Sequence, residues 1–559
     1  MAYSGSFTKS SAVTTQAITG LGFQASCIIF FSAGNTSSAT WQAGVKQMAG
    51  MWSPFGGGYS VCASIQDAAG TSNTARYFAD EALNFVTNSG AVESLGHLTI
   101  DTDGFTVDWT TNTAATGYVV NYIAFTATEA PLSQTINWNM PTSGDAVVTG
   151  LTWEPNLVFH LHAGAVTATL PAGATGAAFG FGCMGPNATD SVGATETGQW
   201  FQSLFSSDNV GTAAAFSKFS SPSGASAAKG CVLGLSGIGA DTLRGTFKSF
   251  DGGGFTLNFP TSPSGAFQAV SLCLQVPDAW VGSFTKSTAA APVTQTVKSG
   301  LAFNPGLALY ATTSKNSTAG TAGLRASIAA RDTATSSVST AVQDQNGAGT
   351  SNAHSYSSDY LQIANNDTQT ITAVGVPSFP GSGALTVNWT TNDANGTVIG
   401  FVTMASVSVP PVPGTAWLVI NEPIGGLTDQ TTRLDFSGTG SDFQLIMRQR
   451  GTATVPIRVA AGDYYSPTMG TELFIYDVGP TATTLVFVGT IDRIEETWDG
   501  VAGYRKYLCS VVSLEQCLDA ILVPPQAFIN VTAGSIVTSL FNSLMTGSPI
   551  TLGTISGGS

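Results

Sequence analysis

The side chains that could pass a proton or hold a metal are few. Only four of the 559 residues are histidine: His97, His160, His162 and His354. His160 and His162 stand two apart in an apolar run, so on a strand both project to one face, a spacing that suits two imidazole ligands. No cysteine or carboxylate adjoins them, and a polar pair at the surface is the preferred reading. Asp101 and Asp103, followed by Gly104, imitate the opening of a calcium loop, but no glutamate stands at the twelfth position. A turn ahead of the strand starting at Phe105 is expected instead. Glu495 and Glu496, near Asp492, resemble a carboxylate pair, yet neighbours on a strand face opposite ways and an exposed polar edge is expected.

Other signatures of catalysis fail at a defining position. The glycine triplets Gly56–Gly58 and Gly252–Gly254 are not followed by Gly-Lys-Ser/Thr, so they read as hairpin loops rather than phosphate cradles. Gly234-Leu-Ser-Gly-Ile breaks the Gly-x-Ser-x-Gly pattern at its end. Seven cysteines, an odd number without Cys-x-x-Cys spacing, sit in apolar segments and read as small buried hydrophobes of a reducing compartment. No catalytic, cofactor-binding or metal-binding residue is assigned, and the chain is expected not to be an enzyme. Recognition falls to aromatic rings, which stack on sugar faces at low entropic cost. Trp41, Trp52, Trp138 and Trp200 lie near Gly/Ser/Asn loops and are the candidate contacts to a glycan or host surface, with ordinary packing as the alternative.

The elements that must position these residues are β-strands. Charged residues make up only 9% of the chain against a usual ~25%, which leaves Ser, Thr, Asn and Gly to form the polar surface. A net charge of −15 without a basic run argues against nucleic acid as a partner. No apolar run approaches the ~18 residues of a membrane span, and the first residues lack the pattern of a secretory signal.

A repeat organises three quarters of the sequence. Gly5-Ser-Phe-Thr-Lys-Ser10 recurs as Gly282-Ser-Phe-Thr-Lys-Ser287. Gly20-Leu-Gly-Phe-Gln, Gly150-Leu-Thr-Trp-Glu-Pro and Gly300-Leu-Ala-Phe-Asn-Pro each lead into an apolar strand. Gly104-Phe-Thr-Val-Asp-Trp, Gly254-Phe-Thr-Leu-Asn-Phe and Ala384-Leu-Thr-Val-Asn-Trp close the units. These anchors place three tandem antiparallel β-sandwich domains, jelly-roll-like, at 1–130, 131–278 and 279–409. In the strand from Gly104, Phe105, Val107 and Trp109 alternate with Thr106 and Asp108, which gives one apolar and one polar face.

Pro410-Pro-Val-Pro-Gly414 reads as a semi-rigid linker, and 415–559 as an α+β domain. Strands are expected at Trp417–Ile420, Phe443–Met447, Leu473–Tyr476 and Leu485–Ile491. A helix should follow the capping box Ser513-Leu-Glu-Gln516, with Leu514, Cys517, Leu518 and Ile521 on one face, and a second carries Ile536, Val537, Leu540, Phe541 and Leu544.

The unit openings resemble β-sandwich modules of tail and surface proteins of tailed bacteriophages. Val488-Gly-Thr-Ile-Asp-Arg-Ile-Glu-Glu, then Tyr507-Leu-Cys-Ser-Val-Val-Ser-Leu-Glu-Gln-Cys-Leu-Asp and Asn530-Val-Thr-Ala-Gly-Ser-Ile-Val-Thr-Ser-Leu, resemble the hub domain of phage tail-tip, or baseplate, proteins over roughly 430–555. That resemblance implies a virion structural component without catalytic residues or cofactors. It would be commonly trimeric about the tail axis, partnered by itself and other tail proteins, and would display sandwiches that touch a host receptor. The alternatives are a capsid decoration or fibre protein, a surface glycan-binding adhesin, and, least favoured, a tail-spike glycan depolymerase.

Overall fold

A computed structural model describes residues 3–405 apart from 114–115, 128–129, 165–168, 190–196, 221–228, 315–319, 334–336, 359–360, 365–368 and 382, and then 416–422, 426–429, 452–460, 466–478, 483–498 and 504–513. The described residues form antiparallel sheets and no helix. They divide into two compact units, Met1–Val407 and Ser408–Ser559.

The first unit is built from one pattern used three times. In the first third, one sheet runs in the spatial order Tyr3–Thr8, Val119–Phe125, Cys27–Ser32, Val45–Ser53, Gly57–Ile65, Thr74–Ala79. A second, four-stranded sheet runs Thr15–Thr19, Gly104–Asn112, Val92–Asp101, Leu83–Val86. The middle third repeats both orders from Leu132–Asn139 to Ala215–Phe219, and the last third from Ala279–Thr285 to Ala353–Ser358.

Side-chain alternation explains how each pair of sheets packs. Phe105, Val107 and Trp109 are buried and meet Ile28, Phe30, Val120 and Tyr122 of the larger sheet in one apolar cluster, while Thr106 and Asp108 face outward. The result is β-sandwich-like. Gly96 makes room for this packing, because a Cβ there would lie 2.8 Å from Val107 and 3.1 Å from the Trp109 ring. Gly375 plays the same part beneath Trp389.

The strand Cys27–Ser32 is buried on both faces. Ile28 and Phe30 fill the sandwich, whereas Cys27, Ile29 and Phe31 enter a separate cluster with Phe159, Phe181 and Trp200 of the middle third and Leu309 and Ile328 of the last. Leu157–His162 and Pro305–Thr312 split their side chains in the same way. Double burial is why these segments read as unbroken apolar runs rather than alternating ones.

The thirds are therefore not separate beads. Each larger sheet gains a seventh strand from a neighbour: Ala172–Thr175 pairs with Thr74–Ala79, Thr321–Ala322 with Ala215–Phe219, and Gln42–Ala43 with Ala353–Ser358. The second third adds to the first, the third to the second and the first to the third. A closed ring with pseudo-threefold symmetry results.

In the second unit a six-stranded antiparallel sheet runs Gly426–Asp429, Ala416–Glu422, Glu472–Val478, Thr483–Trp498, Tyr504–Ser513, Thr452–Ala460. Three of the expected strands fall in it. The fourth, at 443–447, and both expected helices lie outside the described residues, so the helical half of the α+β expectation is not addressed.

Candidate functional site

Polar groups from all three thirds come together where three equivalent hairpin loops meet, in an arrangement built from backbone geometry. Each loop carries an Asp or Asn followed by a left-handed residue: Asp67-Ala68, Asp208-Asn209 and Asn346-Gly347, with φ of 54°, 54° and 77° at the second position. The side-chain oxygen of the first caps a strand start in the preceding third, counted around the ring. The N–H of Ala353 donates to Asp67 Oδ1 at 2.9 Å, that of Thr74 to Asp208 Oδ1 at 2.8 Å, and that of Ala215 to Asn346 Oδ1 at 2.9 Å.

Backbone bonds repeat the cycle. Ala68 N–H donates to Ser351 O, Asn209 N–H to Ser72 O and Gly347 N–H to Ala213 O, at 2.9, 2.8 and 2.7 Å. Reciprocal bonds run from Ser351 to Ala69, Ser72 to Val210 and Ala213 to Ala348. A partner amide that would otherwise be orphaned at each sheet end is satisfied across a seam.

Beneath this clasp lies Asp344, 1% exposed. Ser206 Oγ donates to its Oδ2 at 2.8 Å, and Oδ1 has no hydrogen-bond partner. Burial pushes its carboxyl up to about 6, and the nearby charge of Asp67 adds to the effect. This is a buried carboxyl at a structural seam, with its ionised form disfavoured. Among the described residues no group of three or more His, Cys, Asp or Glu could hold a metal ion.

The residues singled out from sequence are dispersed. Trp200 is fully buried in the common core, where its indole N–H donates to Phe401 O of the last third at 3.1 Å. Trp138 is buried in the middle sandwich, donates to Ser271 Oγ at 2.8 Å and meets Phe255 and Phe259 edge-on. Both rings are committed to packing and present no face to a ligand. Trp52 is half-buried against the first sandwich core. Trp41, also half-buried, packs 5.2 Å from the Tyr356 ring at the seam between first and last thirds.

The expected surface placement of His160 and His162 is corrected: they are 1% and 2% exposed. They do share a face, but it is the inner face of the sandwich. His160 Nδ1 lies 2.8 Å from Ser271 Oγ, and Gly164 N–H donates to His162 Nδ1 at 3.1 Å. Burial lowers both imidazoles, to about 3 and about 4, so they are neutral spacers. The counterparts of His162 explain its choice, since Ser32 and Thr312 accept the same bond from Gly34 and Ser314.

Asp103 ends in a turn, its carboxylate oxygens taken by the N–H groups of Gly20 and Gly22. Glu495 pairs with Arg493 at the surface. The six described cysteines are buried thiols, and burial drives that of Cys62 up to about 12, which leaves it inert. The loop residues Asp67, Asp208 and Asn346 were missed by motif search. Setting the repeats in register at Gly70-Thr71, Gly211-Thr212 and Gly349-Thr350 brings them into one column.

No family model, curated protein or solved structure matches this chain.

Proposed function

We propose that this chain is a structural, non-catalytic component of a bacteriophage virion, a tail-tip or baseplate protein. In this reading the C-terminal region docks into the tail, and the ring displays sandwich faces toward other tail proteins and the host surface. The observation that carries it is ring closure. Three modules fused about a pseudo-threefold axis form a rigid body whose symmetry suits an assembly arranged around an axis, as the resemblance at 430–555 implies. Polar groups at the seams are engaged in holding modules together, a use consistent with scaffolding.

Electron microscopy of virions carrying a tagged copy of the chain tests the proposal, with label expected at the distal end of the tail. Label on the capsid shell, or on no particle, would overturn it. The purified chain should also leave polysaccharides uncut; cleavage abolished by replacing one acidic residue would establish an enzyme instead.

A further inference from the structure

The phrase Gly-Ser-Phe-Thr-Lys-Ser occurs at 5–10 and again at 282–287, and its lysine occupies the same setting both times. Lys9 and Lys286 are each 1% exposed. Each follows the first strand of a larger sheet and reaches across the sandwich to an asparagine at the end of a strand in the smaller sheet. Lys9 Nζ lies 2.5 Å from Asn112 Oδ1, and Lys286 Nζ 2.5 Å from Asn392 Oδ1. Trp109 and Trp389 cover the ammonium groups, with ring centroids at 5.4 and 5.7 Å.

Both asparagines are fixed. The Asn112 amide nitrogen donates to Ser10 O and Ala12 O at 2.9 and 2.7 Å, and that of Asn392 to Ser287 O and Ala289 O at 2.9 and 2.6 Å. Ser94 Oγ donates to Asn112 Oδ1 at 2.9 Å and so polarises its carbonyl.

An acid adjoins each pair, although on different strands. Asp393 Oδ1 lies 3.0 Å from Lys286 Nζ and is hydrogen-bonded by Thr372. In the first module the acid is Glu93, whose charge acts on Lys9 and which stands opposite Thr113. The middle module drops the whole set at once: by strand register Met140 replaces the lysine, Ser262 the asparagine and Phe259 the tryptophan.

We propose that Lys9 with Asn112, and Lys286 with Asn392, form intramolecular isopeptide bonds that tie together the two sheets of the first and last modules. The neutral lysine amine attacks the asparagine Cγ, and negative charge gathers on Oδ1, next to Ser94 O–H in the first module. Collapse expels the side-chain nitrogen as ammonia, which takes the proton that Nζ gives up through the adjacent carboxylate. One C–N bond forms and one breaks, so no oxidant or reductant is needed. Burial lowers the Lys9 ammonium to about 8, against the opposing charge of Glu93, and this raises the fraction of nucleophilic amine.

Intact-mass measurement on the unfolded full-length chain decides the matter. The expected mass is the sequence mass less two ammonia molecules, and a tryptic digest should contain branched peptides joining Lys9 to Asn112 and Lys286 to Asn392. Lys286→Met, the residue type of the middle module, should restore the mass of one ammonia and leave the Lys9 branch intact. An undiminished mass with linear peptides overturns the proposal, and a loss of one ammonia overturns it for the module whose peptides stay linear. This outcome is independent of where on a virion the chain resides.

Discussion

At the scale of single residues, burial of titratable groups sets opposed pH dependences within one fold. Asp344 has a carboxyl raised to about 6, so the folded chain holds a proton that the unfolded chain has released. Its contribution is therefore most favourable at low pH and is lost as pH rises toward 6, by up to about 3 kcal/mol. Asp344→Asn should raise the melting temperature at pH 8 and leave it unchanged near pH 4; an unchanged value at pH 8 would show that no charge is held there at a cost. His160 and His162 act in the other sense. Their imidazoles are depressed in the fold, so stability falls as pH drops below the ordinary histidine range.

The His162 ring also dictates its neighbour. A Cβ on Gly180 would lie 1.9 Å from Nε2. Gly180→Ala should cost about 1–3 kcal/mol by overpacking, and adding His162→Ser, the residue type at the equivalent position 32, should recover part of that loss in chemical denaturation. Failure of the second change to rescue the first would mean that Gly180 is required for its backbone alone.

At the scale of strands, what the sequence made legible was whatever depends on near neighbours. The alternation Phe105, Val107, Trp109 and the turn at Asp103-Gly104 follow from local patterning, and mainly antiparallel β structure followed with them. The donated strands were not legible. Gln42–Ala43 and Thr321–Ala322 are two residues long, too short for any period to show, and their partners lie hundreds of positions away or in another repeat. His160 and His162 were placed on the wrong surface for a related reason: a strand buried on both faces has no polar side to reveal.

Each donated strand is flanked by a glycine with positive φ whose N–H crosses a seam. Gly44 donates to Ala353 O, Gly176 to Thr74 O and Gly323 to Ala215 O, at 2.7, 3.0 and 2.8 Å. Proline at any of the three removes that donor and forbids the conformation, so Gly44→Pro, Gly176→Pro and Gly323→Pro should each lower the melting temperature by several degrees. Comparable losses at all three are expected of a closed ring; a silent substitution at one would mean that seam contributes nothing.

At the scale of the whole first unit, the shared core makes the modules interdependent. Phe31, Phe159, Trp200 and Leu309 lose their partners if any third is removed. Residues 1–407 should therefore unfold in one calorimetric transition, with the van't Hoff and calorimetric enthalpies in agreement. Three resolved transitions would show modules that are stable singly. Trp200→Ala, which empties the centre and leaves Phe401 O without its donor, should cost about 3–5 kcal/mol and lower that one transition as a whole.

The connections between thirds are short: Phe125 ends one strand and Leu132 begins the next module, while Gln275 and Ala279 are closer still. Three free sandwiches would separate below their dissociation constant, whereas joined ones face one another at an effective concentration of order millimolar at any dilution. Tethering also fixes their order. Met140, Phe259 and Ser262 differ from their counterparts in the first and last modules, a difference denied to identical subunits, in which every change appears three times. A partner that meets the middle face always finds the same two companions on either side of it.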